Sequence, residues 1–264
     1  MNRNISKDGR VILDMIAEKG MDFIGIKEGL VSSDINLMDE EILFVIGELK
    51  DTGLLLNSNG FYSVTLLGAL ASGGMDDVYK SISRREDLHD FFRTRIPGTI
   101  PIDLLKKFKI NEDFIVIGRS DGRERVTFIM NEALSLAPTV EKEMIIVSDL
   151  LYRPSLMYLV SGLAKRPKIR LLFSSLNFKK ENIFMKIVQR FTNSETMILE
   201  DEYLHIGMFC IDDRACVFGF RNMKDVPGWD AVIYTEDDDC ISWVKENFVY
   251  LWDNFAKKPS KIGA

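Results

Sequence analysis

The chain has 264 residues, of which 46% are hydrophobic and 28% charged, and a formal net charge of −6. That is the composition of an ordinary globular protein with room for two domains. No apolar run approaches the roughly 18–20 residues of a membrane span, and the first ten residues, MNRNISKDGR, lack the apolar core of a signal peptide. A cytoplasmic protein with no membrane partner is therefore expected. Three cysteines, Cys210, Cys216 and Cys240, have no metal-ligand spacing and read as reduced, buried strand residues. No metal or cofactor is expected. The acidity is uneven: residues 1–80 hold 7 Lys+Arg against 13 Asp+Glu, and residues 81–264 hold 27 of each.

Helical spacing of Val11, Ile12, Met15 and Ile16 predicts a first helix over 8–20, with Gly20 as its stop. A short second helix is predicted near 24–31, followed by a polar turn at Ser32, Ser33 and Asp34. A third runs from about Met38 to Asp51, with Ile42, Val45, Ile46 and Leu49 on its buried face. The apolar runs Leu54–Leu56 and Phe61–Val64 flank Asn57-Ser58-Asn59-Gly60, a hairpin signal. Three helices and a hairpin, with the L-x-x-x-G-L-L of Leu49–Leu55 and the Y-x-V-T-x-x-G of Tyr62–Gly68, resemble a winged helix-turn-helix over residues 8–72.

That resemblance implies a third helix placed in the DNA major groove. The residues facing away from its core are Glu40, Phe44, Gly47 and Asp51, and its first turn is Asp39-Glu40-Glu41. This face carries no cation to neutralise phosphate. The candidate DNA contacts are therefore polar: Ser32, Ser33 and Asn36 at the entry to helix three, and Asn57, Ser58 and Asn59 at the wing tip. Lys27 and Lys50 are the nearby cations. Any DNA binding is expected to be weak and steeply salt-dependent.

Gly73-Gly74 in ASGGMDD marks a hinge, and helical sequence follows from about 76 to 94. Pro97-Gly98 and Pro101 mark turns, and Ile102, Leu104, Leu105 and Phe108 suggest a short amphipathic helix. Strands are then predicted at 114–118, 144–149, 168–175, 196–200, 203–211, 214–221 and 230–235. Helices are predicted at 126–138, 154–166, 181–191 and 238 to about 255, the last packing through Trp243, Phe248, Leu251 and Trp252. The alternation predicts an α/β domain with a largely parallel sheet. Asp212-Asp213-Arg214 turns an antiparallel pair within it. The expected division is 1–72, a helical linker over 73–112, and 113–264.

Within the second domain, His205 is followed by Asp212 at seven residues, Gly219 at fourteen and Asn222 at seventeen. This spacing resembles the phospholipase D signature. Gly207 stands where that family has its lysine, and Phe220 where it has serine. In the family the histidine attacks phosphorus and the lysine stabilises the developing negative charge. Losing such a cation costs roughly 10²-fold or more in rate. His89, the other histidine, has no matching spacing, so no enzymatic activity is expected. The fold class implied is α+β / α/β: a winged helix-turn-helix followed by an α/β phospholipase D-like domain.

The order of parts, with the linker FFRTRIPGTIP at 91–101, resembles the archaeal methanogenesis regulatory proteins that carry a methanogen output domain, and more loosely the archaeal sugar-sensing regulators. The resemblance implies an archaeal, cytoplasmic transcription regulator that pairs as a homodimer. His205, Asp212, Arg221 and Asn222 are expected to converge on a small-molecule or anionic ligand at the strand ends. Arg119, of GRSDGRERV, is expected to face the same anion. Phe44 and the aromatic last helix are candidate dimer surfaces. Two other readings stay open: an adaptor whose acidic winged helix contacts protein rather than DNA, and a phosphodiesterase.

Overall fold

A computed structural model describes residues 5–72, 75–118, 137–148, 167–175, 193–222 and 230–258. Contacts divide the chain into two units, one of residues 1–97 with 101–107, the other of 98–100 with 108–264. The helical segment that follows the hinge thus belongs to the first unit, not to a free-standing linker.

In the first unit, helix α1 (Lys7–Glu18) starts where the Ser6 hydroxyl accepts the Gly9 N–H at 3.0 Å. It buries Ile12, Leu13 and Ile16, whereas Val11 and Met15 are only half-buried. Strand β1 (Met21–Asp22) leads into α2 (Phe23–Ser32), whose cap is the Asp22 carboxylate accepting from Gly25 N–H at 2.8 Å. Helix α3 (Asp39–Asp51) buries Ile42, Val45, Ile46 and Leu49, as the 3.6-residue period requires. Its first turn is fixed by Glu41, which accepts the Met38 N–H at 2.7 Å.

Strands β2 (Leu55–Ser58) and β3 (Phe61–Val64) form the hairpin. Asn59 and Gly60 both have positive φ, +55° and +84°, the signature of a two-residue type I′ turn. Asn57 Oδ1 locks it by accepting the Gly60 N–H at 2.9 Å. β1 joins the far side of β3, giving the order β1-β3-β2. The succession α1-β1-α2-α3-β2-β3 is a winged helix-turn-helix.

Helix α4 (Leu66–Ala71) is buried at every residue and was not signalled by periodicity, because it has no exposed face. Thr65 caps it, accepting the Gly68 N–H at 2.9 Å while its own hydroxyl donates to the Gly53 carbonyl at 2.7 Å. The helix expected over 76–94 is two, α5 (Asp76–Arg84) and α6 (Glu86–Arg93), broken at Arg85, which is extended at φ −113°, ψ 111°. A four-residue helix α7 (Ile102–Leu105) follows.

The second unit is built on a seven-stranded sheet: β4 (Ile115–Ile117), β5 (Glu143–Ser148), β6 (Lys168–Ser174), β7 (Asn193–Leu199), β8 (Ile206–Ile211), β9 (Ala215–Phe220) and β10 (Val232–Thr235). Their order is β4-β10-β9-β8-β5-β6-β7. Only β5, β6 and β7 are mutually parallel, and the other four pairings are antiparallel. The sheet is therefore mixed rather than largely parallel. The expected turn at Asp212-Asp213-Arg214 is present and joins β8 to β9, with Ile211 opposite Ala215.

One face of the sheet packs on α8 (Asp238–Asn254). The core here is aromatic: Phe108, Phe114, Phe218, Phe220 and Trp243 stack with ring centroids 4.7–6.3 Å apart. Asp237 caps α8 by accepting the Cys240 N–H at 2.8 Å. Trp243, Phe248 and Leu251 are buried in this core, so these last-helix residues are not a free dimer surface. Arg170 on β6 grips Glu143 through two bonds, at 2.9 and 3.0 Å, and lies 4.8 Å over the Phe248 ring. After α8 the chain returns to bond Lys257 with Ile198, covering part of the β7 edge. The predicted helices 126–138, 154–166 and 181–191 lie outside the described residues, apart from a 3-10 turn at Ala137–Thr139.

All three cysteines are buried and free. The Cys210 thiol is pushed well above its ordinary range by its hydrogen bond to Cys216 and by burial, as fits inert packing residues. No helix among the described residues is long and apolar enough to cross a membrane.

Candidate functional site

Three of the four residues expected at the strand ends lie at one end of the β8–β9 hairpin, with alternation turning Asn222 to the face opposite His205 and Arg221. His205 precedes β8 and Arg221 follows β9, and the hairpin register places them opposite each other: the Arg221 N–H donates to the His205 carbonyl at 2.8 Å. Alternation along the two strands puts His205, Gly207, Gly219 and Arg221 on one face. Next in the chain, Asn222 is buried and donates through Nδ2 to Asp230 Oδ2 at 3.0 Å. Arg221 Nη1 donates to the Asp201 carbonyl at 3.3 Å, and the Asp201 carboxylate accepts from the hydroxyl of buried Ser174, at the C-terminal end of β6. Ser148 ends β5 at the same edge of the sheet.

Gly98 completes the arrangement. Its φ is +60°, and a Cβ built there would lie 2.1 Å from His205 Cγ, so the Gly98 backbone runs directly against the imidazole. Gly98, Ser174, Asp201 and Asp230 were missed as site residues. The Pro-Gly turn was legible as a turn, but nothing in the sequence pointed it at His205.

Asp212 does not join them. β8 separates it from His205, and six strand residues at about 3.3 Å each put the two roughly 20 Å apart. Asp212 is instead a buried clamp. Its Oδ1 accepts the N–H groups of Lys142 at 2.8 Å and Glu143 at 2.9 Å. Its Oδ2 accepts from Glu141 N–H at 3.2 Å and Arg214 Nη2 at 3.0 Å. Burial works to raise its pKa, but the backbone donors of Glu143, Lys142 and Glu141, with Arg214, outweigh it and hold the carboxyl below its ordinary value. Arg119 lies outside the described residues.

What the strand-end cluster can do chemically follows from its charges. Gly207 and Gly219 face each other, so neither strand supplies an ammonium one pair in from His205. Among the described residues, Arg221 is the cation opposite the histidine in the hairpin, and it also holds the Asp201 carbonyl. The group sets a guanidinium beside an imidazole and lacks the lysine of the phospholipase D signature.

In the first unit, the candidate DNA contacts are exposed, but several are already occupied. The Ser32 and Ser33 hydroxyls donate to the Glu28 and Gly29 carbonyls of α2 at 2.8 and 2.9 Å. Lys27 is ion-paired with Asp39 at 2.6 Å, so one of the two expected cations is partly neutralised. Asn57 spends its side-chain oxygen on the turn. Asn36, Lys50, Ser58 and Asn59 are exposed.

No family model matches the chain, and no curated protein matches it. Among solved structures it is similar to TrmBL2, an archaeal chromatin protein described as showing a novel mode of DNA binding. The TM-score is 0.44 and the identity 13%, over 96% of this chain and 93% of that one. It is also similar to NucT from Helicobacter pylori, with a TM-score of 0.41 and 13% identity over 54% of this chain and 95% of that one. A third is phosphatidylserine synthase from Haemophilus influenzae Rd KW20, with a TM-score of 0.37 and 13% identity over 55% and 38% of the two chains. Likeness of this degree identifies no function.

Proposed function

We propose that the protein is a transcription regulator: its winged-helix unit contacts DNA, and its phospholipase D-like unit binds a small polar or anionic ligand and pairs with a second copy. The observation that carries the reading is the complete winged helix-turn-helix, with an exposed, rigid type I′ wing tip at Asn59-Gly60. Paired half-sites would call for a two-fold dimer. Ligand binding is assigned to His205 and Arg221, with Asp201 as their support; Asn222 is held by Asp230 on the other face, and Asp212 lies at the far end of β8.

An electrophoretic shift with DNA from upstream of the protein's own gene, at low salt, tests the DNA step. The expected result is a sequence-selective shift weakened by Lys50→Ala and by Asn59→Asp. Equal affinity for unrelated DNA, or no shift at all, would count against it.

The second unit is proposed to be catalytically silent, because Gly207 stands where a charge-stabilising lysine is needed. No turnover of bis-p-nitrophenyl phosphate is expected, with or without added metal. Turnover that disappears in His205→Ala would contradict this. The adaptor reading, in which no DNA is bound, draws its support from the cation-free face of α3.

A further inference from the structure

The outward face of α3 carries large exposed apolar residues: Phe44 is 67% exposed and Leu43 52%. Between Phe44 and Asp51 lies Gly47, where an added Cβ would meet nothing within 4 Å, leaving a shallow notch in the stripe. On α2, Ile24 at 65% and Val31 at 67% flank Lys27, which reaches Asp39 in the first turn of α3. That ion pair brings the α2 stripe alongside the start of α3. Exposed apolar residues scattered singly need no account, but Phe44 and Leu43 on α3 with Ile24 and Val31 on α2, the helices linked by Lys27–Asp39, mark a contact surface.

The charges around this surface select the occupant. Asp39, Glu40, Glu41, Glu48 and Asp51 of α3 are all exposed, against Lys50 and the already paired Lys27. DNA is disfavoured here by like charge, and so is an acidic peptide. A second copy of the same face would bring the same carboxylates together. We infer that this face docks a basic amphipathic helix of another protein, whose apolar side covers Phe44 and Leu43 and whose lysines or arginines meet the α3 carboxylates. This is helix-on-groove recognition with an electrostatic rim. It requires no DNA binding by the winged helix and leaves the wing tip free.

The test uses the full chain and fluorescein-labelled synthetic peptides of roughly 18 residues, about five helical turns. One has leucines along a helical face and lysines opposite, one is a scramble of the same composition, and one replaces the lysines with glutamates. Anisotropy is read at about 0.15 M salt, where long-range attraction is screened. The leucine–lysine helix is expected to bind, the scramble to bind at least tenfold more weakly, and the glutamate peptide not to bind, as a central hot spot with a charged rim predicts. Phe44→Ala and Leu43→Ala should each weaken binding by roughly tenfold. Val249→Ala, which removes an exposed apolar residue of the second unit, should leave it unchanged.

Equal binding of helix and scramble, or indifference to both α3 variants, would overturn the inference. So would self-association of the wild type that Phe44→Ala abolishes, since the occupant would then be a second copy. A DNA shift lost in Phe44→Ala would overturn it too, by making α3 the DNA contact. A missing DNA shift with peptide binding intact would count only against the proposed regulator.

Discussion

Replacing Asp212 with alanine is expected to destabilise the second unit by about 3 kcal/mol, because a buried charged acceptor loses several bonds at once. Three consecutive backbone N–H groups, of Glu141, Lys142 and Glu143, point at this one carboxylate, and Arg214 closes the fourth side. The carboxylate thereby ties the β8–β9 turn to the start of β5, an attachment reinforced by the Asp212 N–H donating to the Glu143 carbonyl at 2.8 Å. Its pKa is depressed in the folded protein. The stability it contributes is therefore fully present above the unfolded value of about 3.9 and lost as pH falls through the folded value. The gap in urea midpoint between wild type and Asp212→Asn should accordingly be wide at neutral pH and shrink below about pH 4. A gap independent of pH would mean that the carboxylate is not the clamp described. Ligand binding at His205 should survive Asp212→Asn in whatever fraction stays folded.

Phe218→Ala should cost more, about 4 kcal/mol, within the range for truncating a fully buried phenylalanine. Phe218 has no exposed surface and meets Phe108, Phe220 and Trp243 at centroid distances of 6.3, 5.9 and 5.8 Å. It is central to the packing of the sheet against α8, and alanine would leave a cavity among rigid rings. The chain has no tryptophan before residue 229, and Trp243 and Trp252 lie in the second unit, so tryptophan fluorescence follows its unfolding separately. A shift of less than about 1 kcal/mol would mean that the rings repack, a cost closer to volume-conserving swaps than to cavities.

Much of the first unit was legible because its helices are amphipathic. The four buried residues of α3 follow directly from their spacing, and Asn59-Gly60 specifies its turn. In α1 the same logic chose Val11 and Met15 over Leu13, because several residues of a short helix fit a 3.6-residue stripe and tertiary contact decides among them. The break at Arg85 was invisible, since neither glycine nor proline marks it. In the second unit, β8 and β9 are buried at all six positions each. Such continuous apolar runs ordinarily signal parallel strands covered on both faces. Here they belong to antiparallel strands in the middle of a mixed sheet, and pattern alone cannot separate the two cases. The candidate site was half legible. Spacing singled out His205, Asp212 and Asn222, but Asp212, seven residues away along an extended strand, is placed by geometry at the opposite end from His205. Ser174, Asp201 and Gly98 come from distant segments that only the topology brings to the same edge.

The proposed DNA contact would be made by a winged helix with few cations of its own. The most direct test is the salt dependence of its affinity for the upstream DNA, followed by anisotropy from low to physiological salt. Each neutralised phosphate contributes roughly −0.9 to the log–log slope. With Lys27 partly spent on Asp39 and seven basic residues in the first 80, the account predicts weak, sequence-selective binding at low salt. Its slope should be about −2 to −3 per winged helix, and it should fade near physiological salt. Nanomolar affinity that survives physiological salt would contradict the account, as would the absence of any selective binding at the lowest salt.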